Sequence, residues 1–307
     1  MVELKHSFPD RFFEEEDRLG FHIDRKRKEV WAVELDMLLE LDRVCRKLNI
    51  RYFLDGGTLL GAARDGLFIP WDDDIDVAML REDYDRFVRQ APEEFDYPLF
   101  LQTGYTEKDY FRGHCQLRNS ETAAILPNEL GRVRFNQGIF LDVFVLDELF
   151  VERIAAQYEE RKRLQRFRKK SLNRAFQGRP LKWLAKQVCY GLFKLKYPDS
   201  ATFYRRLEKV FRAQTQSEYV DYLMLNRGVE QVHRLRRDWY REAVPLWFEG
   251  LELPAPQGYR EYLRCYYGED WETPKNVDSM HNAKGQVLFD TGRSYVEVLN
   301  EIEAANI

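Results

Sequence analysis

The chain has 307 residues, 44% hydrophobic and 14% aromatic, enough to bury a large core in one elaborated domain or two. Its 48 basic and 52 acidic residues give a formal charge of −4 and a pI near 5.9, without the global basic field that nucleic-acid binders carry, so any anionic partner must be met locally. Cys45, Cys115, Cys189 and Cys265 stand far apart with no C-x-x-C pair, which argues against a zinc ribbon or redox dithiol and for buried thiols in a reducing compartment.

The amino-terminal stretch lacks an apolar signal core, and no later stretch approaches ~20 uninterrupted apolar residues, so the expectation is a cytoplasmic protein without a membrane span. Residues 1–27 are polar with scattered aromatics and read as an arm or short helix. From Lys28 to Leu48, Val30, Val33, Leu35, Met37, Leu38, Leu41, Val44 and Leu48 recur at roughly helical spacing, and Asn49 can end that helix. Arg51–Asp55 reads as a short strand leading into Gly56-Gly57. Thr58 is the expected N-cap of a helical turn through Leu59, Leu60, Ala62 and Ala63, whose free backbone N–H groups would favour a phosphate.

Pro70 biases Ile69 toward extended geometry. Asp72, Asp74 and Asp76 then fall on alternate residues, so a strand through Ile75, Val77 and Met79 would put all three on one face and Asp73 on the other. Three such carboxylates repel one another, and a hard divalent cation relieves the repulsion. With the glycines upstream, the stretch reads as a metal–phosphate site.

Arg81–Phe95 has the pattern of an amphipathic packing helix. Residues 115–119 and 122–126 read as strands about an Asn119-Ser120 turn. Ile139–Leu146 is an apolar strand interrupted only by Asp142, a carboxylate that needs a metal, a basic partner or a shifted pKa. After Asp147 long helices run to about residue 216. Within them, 161–170 holds seven basic residues, read as a solvated face or as a patch docking on anionic lipid or an anionic glycan acceptor. Val244–Leu253 reads as a strand or hairpin, Gly258–Tyr267 as a helix ended by Gly268, and Trp271–Gly292 as loop-rich. The expected organisation is a single domain over 1–307, comprising a core at 28–150, a helical insertion at 151–235 and a substrate-side region at 236–307.

Asp74 and Asp76 on one strand, Asp142 on its neighbour and Gly56-Gly57-Thr58 at a facing helix start make a site for a metal-bound nucleoside diphosphate. Asp142 would accept a hydroxyl proton or hold a second metal. Arg64 and Arg118 are candidate phosphate clamps, His281 and Lys284 could touch donor phosphates, and Asp72 has a supporting role. A quaternary ammonium headgroup would call for an aromatic cage, with Trp71, Trp239, Trp247, Tyr266 and Trp271 as candidates. An alditol would call for polar groups instead. P-loop, G-x-G-x-x-G and H-E-x-x-H motifs are absent from the sequence.

Gly57-Thr-Leu-Leu-Gly61, Ile69-Pro-Trp-Asp-Asp-Asp-Ile-Asp76, Gly138-Ile-Phe-Leu-Asp142 and Tyr267-Gly268 resemble the successive signatures of the LicD family, which includes bacterial phosphocholine transferases and fukutin-related proteins. That family is similar to the polymerase-beta-like nucleotidyltransferases, whose pattern lands here on Gly56, Gly57, Asp74, Asp76 and Asp142. The resemblance covers residues 30–147 well and is weaker from 236 onward. It implies an α/β (α+β) fold with a nucleotidyltransferase-like mixed β-sheet flanked by helices and a largely helical insertion. It also implies two Mg²⁺ ions, for which Mn²⁺ could substitute. The implied donor is CDP-linked, CDP-choline or a CDP-alditol, with a hydroxyl of a cell-surface glycan or glycolipid precursor as acceptor and CMP leaving. A peripheral place at the inner membrane face would suit such an acceptor. Gln116 departs from the family where a basic residue is common, as does Val145 where proline is frequent. Two alternatives share the same residues: a nucleotidyltransferase moving a nucleoside monophosphate from a triphosphate with pyrophosphate release, and a non-catalytic nucleotide- or glycan-binding adaptor.

Overall fold

The computed structural model describes residues 1–127, 129–172, 180–275 and 287–305. The amino-terminal arm contains a hairpin of β1 (Glu16–Arg18) and β2 (Phe21–Ile23). Asp24 then caps α1 (Arg25–Leu48) by accepting a hydrogen bond from the Arg27 N–H, and Asn49 ends it in the left-handed conformation at φ 52°. The face bearing Val30, Val33, Met37, Leu38, Leu41 and Val44 is fully buried.

The central sheet is mixed. β4 (Asp76–Leu80) runs antiparallel to β3 (Phe53–Leu54) and parallel to β8 (Ile139–Leu149). β8 in turn pairs antiparallel with β6 (Cys115–Asn119), which carries β5 (Leu99–Gln102). The last three residues of β8 pair with β9 (Tyr219–Asp221), and β9 pairs with β10 (Leu235–Arg236). Between β3 and β4 lies α2 (Gly56–Arg64), and α3 (Arg81–Gln90) follows β4 directly. Along β8, Leu141, Val143 and Val145 are sealed in the core, whereas the alternating Phe140 and Phe144 stay half-buried on the face that carries Asp142.

The helical middle comprises α4 (Val151–Leu172), α5 (Pro180–Lys196) and α6 (Ser200–Phe211), with a second core of Tyr158, Leu164, Phe193, Phe203 and Phe211 among others. Arg81 ties it to the sheet through buried ion pairs with Asp147 (2.7 Å) and Glu208 (3.2 Å). Beyond it, β11 (Ala243–Phe248) and β12 (Leu251–Pro256) form a hairpin over Glu249-Gly250, both at positive φ as a two-residue turn requires. α7 (Tyr259–Tyr267) ends at Gly268, φ 93°.

Several local expectations change. The strand at Asp76 starts later than the alternation of Asp72, Asp74 and Asp76 suggests, and residues 72–75 are irregular. Thr58 is not the helix cap, since α2 already begins at Gly56 after Asp55. The region after Trp271 contains a strand, β13 (Leu288–Asp290), paired with β7 (Ala123–Ile125), and α8 (Tyr295–Ala305) packs against β7. Cys45 and Cys115 are buried, but Cys189 and Cys265 are exposed, and all four are free thiols. Among the described residues no helix is long and apolar enough to cross a membrane.

Candidate active site

The parallel β4–β8 register sets Asp76 directly beside Asp142, and the Asp142 N–H reaches back to the Ile75 carbonyl at 2.9 Å. Asp74, one step before the strand, joins them. Carboxylate oxygens of Asp74, Asp76 and Asp142 all lie within 4.8 Å of one another. Asp72 and Asp73 form a second group with Asp74 at the same spacing, so Asp73 does not turn away to an opposite face. The irregular backbone of this loop is held from α1, where Arg27 and Trp31 both donate to the Asp72 carbonyl, at 2.8 and 3.0 Å.

Gly56 and Gly57 face these carboxylates. Gly56 adopts φ +52°, and a Cβ there would sit 2.5 Å from Asp76 Oδ2; one at Gly57 would overlap Asp72 Oδ2. Only glycine lets the first turn of α2 lie against the acidic cluster, where the Gly57 and Thr58 N–H groups have no intrahelical partner. The Thr58 hydroxyl accepts a hydrogen bond from the Asp76 N–H (2.9 Å) and so fixes the strand start from the helix. Behind the turn, Asp55 is buried and accepts hydrogen bonds from the Tyr222 hydroxyl at 2.6 and 2.7 Å, while the Tyr262 hydroxyl accepts from the Gly56 N–H at 3.3 Å.

Burial, and then repulsion from the neighbouring aspartates, raises the Asp74 and Asp76 carboxyls well above the ordinary range. Burial pushes Asp142 the same way, but His114, Arg112 and Gln116 outweigh it and hold Asp142 below its usual value. His114 Nε2 lies 3.0 Å from Asp142 Oδ1, and Gln116 donates to the same oxygen at 2.6 Å. A buried chain continues from there: Arg118 donates to Gln116 Oε1, Gln102 Oε1 and the Gly138 carbonyl, each at 2.6 Å. Arg118 is 1% exposed, so it props Gln116 from inside the sheet and does not reach into the cleft.

The acidic cluster forms one end of a cleft of about 450 Å³. Arg64 lines it. The Arg64 Nε pairs with Asp65 at 2.6 Å, while its Nη2 is buried without a hydrogen-bond partner among the described residues. Aromatic rings from Trp71, Phe144, Tyr267 and Trp271 also line the cleft, together with Lys275. Of the expected aromatic cage, Trp71 and Trp271 line the cleft. Tyr266 stacks instead on His233 (4.0 Å) and Tyr262 (4.8 Å), Trp239 lies against Gly258, and Trp247 is 60% exposed on the β11–β12 hairpin. His281 and Lys284 lie outside the described residues.

The donor set suits a hard divalent cation: three acidic side chains offering oxygen only, drawn together against their own repulsion, beside N–H groups that can face phosphate. Sequence reading missed His114, Phe144, Asp55 and Glu34. Phe144 was legible, two residues from Asp142 on the same strand face. Glu34 was legible too, a charge on the apolar stripe of α1. It is 1% exposed, its Oε2 has no hydrogen-bond partner among the described residues, and burial followed by repulsion from Asp73 and Asp72 pushes its carboxyl up.

Residues 49–137 match the family model described as LicD/FKTN/FKRP, nucleotidyltransferase domain. The chain is 26% identical over 82% of its length, and 93% of the relative's, to the lipopolysaccharide cholinephosphotransferase LicD of Haemophilus influenzae. It is 38% identical to the ribitol 5-phosphate transferase FKRP of mouse and of human, over 22% of this chain and 15% of theirs.

Proposed function

From a chain that carries a LicD-type nucleotidyltransferase domain, we infer a transferase that moves a substituted phosphate from a CDP-linked donor to a hydroxyl of a glycan or glycolipid precursor, releasing CMP. The observation that carries this reading is the close approach of Gly56 and Gly57 to Asp76 and Asp72 beside Asp142, a juxtaposition that only an added cation and phosphate make electrostatically favourable. Mg²⁺ held by Asp74, Asp76 and Asp142 would neutralise phosphate charge and stabilise the entering and leaving oxygens.

The chain's own groups do the rest. The Gly57 and Thr58 N–H groups at the start of α2 face the donor phosphates, and the unpaired Nη2 of Arg64 offers a further donor to them. Asp142, kept ionised by His114 and Gln116, could hold a second cation or take the proton of the attacking hydroxyl. The hydroxyl oxygen forms its bond to the phosphorus bearing the headgroup, and the bond from that phosphorus to CMP breaks.

The rings of Trp71, Phe144, Tyr267 and Trp271 suit a quaternary ammonium headgroup better than a polyol. Within this reading phosphocholine is the substituent, in keeping with the lipopolysaccharide relative named above. Product analysis tests the reading: CMP must appear with CDP-choline and an acceptor glycan, whereas pyrophosphate released from a nucleoside triphosphate would replace it with a nucleotidyltransferase.

A further inference from the structure

The helical middle presents a surface that the transfer chemistry does not use. On α5, Leu184, Val188, Leu192 and Leu195 recur at steps of four, four and three residues, which places them on one face. They are 56%, 56%, 60% and 84% exposed. The opposite face is the anchored one, with Phe193 at 4% exposure in the second core. The apolar stripe spans about 16 Å of helix at 1.5 Å per residue. A helix with one face already buried has no folding reason to carry a second apolar face toward water.

The charge on α5 is of one sign, and the two acidic residues on the adjoining face of α4, Glu159 and Glu160, are paired with Lys162 and Arg206. Residues 180–196 contain four lysines and no acidic residue, and Lys194 and Lys196 flank the stripe on its two sides. α4 packs beside α5, with the Phe167 and Phe193 rings 5.5 Å apart, and brings the 161–170 tract alongside. Part of that tract is spent internally. Arg161 donates to the Leu223 and Asn226 carbonyls, Lys162 pairs with Glu159, and Arg168 with Asp109. Arg163, Arg166, Lys169 and Lys170 are exposed and make no ion pair among the described residues.

We propose that the α5 stripe and the neighbouring basic residues of α4 form a docking surface for an anionic lipid bilayer, α5 lying in the plane of the interface. Apolar side chains rimmed by lysine and arginine are the composition of interfacial helices, which combine acyl-chain burial with attraction to anionic headgroups. A second copy of the chain fits less well, because apposing two such stripes would bring rims of like charge together. The surface is independent of the transferase reading, although docking there would hold the protein where a lipid-linked acceptor is found.

Co-sedimentation with phosphatidylcholine vesicles, with and without phosphatidylglycerol, tests the proposal on the full chain. The protein should pellet with phosphatidylglycerol vesicles at low salt and be released as salt rises. A Leu192→Glu/Leu195→Glu variant and an Arg163→Glu/Lys170→Glu variant should each bind at least about tenfold more weakly. Both should keep the wild-type melting temperature, because these side chains face solvent. The proposal is overturned if the wild type stays in the supernatant, or if Leu192→Glu/Leu195→Glu binds as well as wild type. It is equally overturned if vesicle-free sedimentation shows a wild-type dimer that this variant abolishes, which would give the stripe to a second copy.

Discussion

Asp76 and Asp142 stand opposite each other in register across the parallel β4–β8 pair, so neither carboxylate can move away without breaking the ladder. Asp74 completes the cluster, and the raised Asp74 and Asp76 pKa values express the cost of that arrangement. Neutralising one member should relieve it. Asp76→Asn is expected to keep or raise the melting temperature in EDTA, to lose the stabilisation that Mg²⁺ gives the wild type, and to lower turnover at least about 100-fold. Thermal melts with and without Mg²⁺, together with an activity assay, check all three.

Gly57 packs against Asp72 so closely that no Cβ fits. Gly57→Ala must displace the Asp72 carboxylate or tilt the start of α2, and should cost about 1–3 kcal/mol of stability, the usual scale of overpacking. Turnover should fall further than stability alone explains. Gly66→Ala is a useful comparison: unlike Gly57, Gly66 sits at positive φ, but the nearest atom to its Cβ would be 3.6 Å away, so strain without site displacement should leave activity intact in the folded fraction.

Gln116 and His114 share one oxygen of Asp142. Gln116→Leu should release Asp142 from that constraint and weaken Mg²⁺ binding by about 10–100-fold, the range seen when a partner of a metal ligand is removed. Titration calorimetry with Mg²⁺ measures this directly, and Gln116→Glu should recover little, since it adds a like charge beside Asp142.

Burial pushes the Asp55 carboxyl up to about 6, against hydrogen bonds from Tyr222 and Tyr262. Its folded pKa therefore lies above the unfolded value of about 4. Between those pH values the folded state binds more protons than the unfolded state, so stability falls as pH rises from about 4 to about 6. Asp74 and Asp76, raised well above their ordinary range by burial and mutual repulsion, add to the same decline. Denaturant midpoints in EDTA should decline across this window, and Asp55→Asn should make the decline between pH 4 and 6 shallower without abolishing it.

Local signals were readable from sequence, and long-range partners were not. Gly56, Gly57, Asp74, Asp76 and Asp142 sit in short dense patterns whose residue types have few packing explanations, and the fold brings them together. Asp73 was misplaced because strand alternation was carried back past Asp76 into a loop whose path is set from α1 by Arg27 and Trp31. Arg118 looked like a clamp because an arginine on a short strand carries no mark of burial. It takes the neighbouring Gln102 and Gln116 to make it an interior residue. The Tyr222–Asp55 bond joins residues 167 positions apart, a separation at which no local pattern gives warning.

Mg²⁺-dependent donor binding tests the central claim most directly. Melting temperatures should be recorded for wild type and Asp76→Asn with CDP-choline, CDP-ribitol, CDP-glycerol and nucleoside triphosphates, each with Mg²⁺ and with EDTA. A donor bound through Asp74, Asp76 and Asp142 predicts a rise with a CDP-linked compound, largest for CDP-choline, that needs Mg²⁺ and vanishes in Asp76→Asn. An equal rise in EDTA, an undiminished rise in Asp76→Asn, or a rise with triphosphates alone would contradict it.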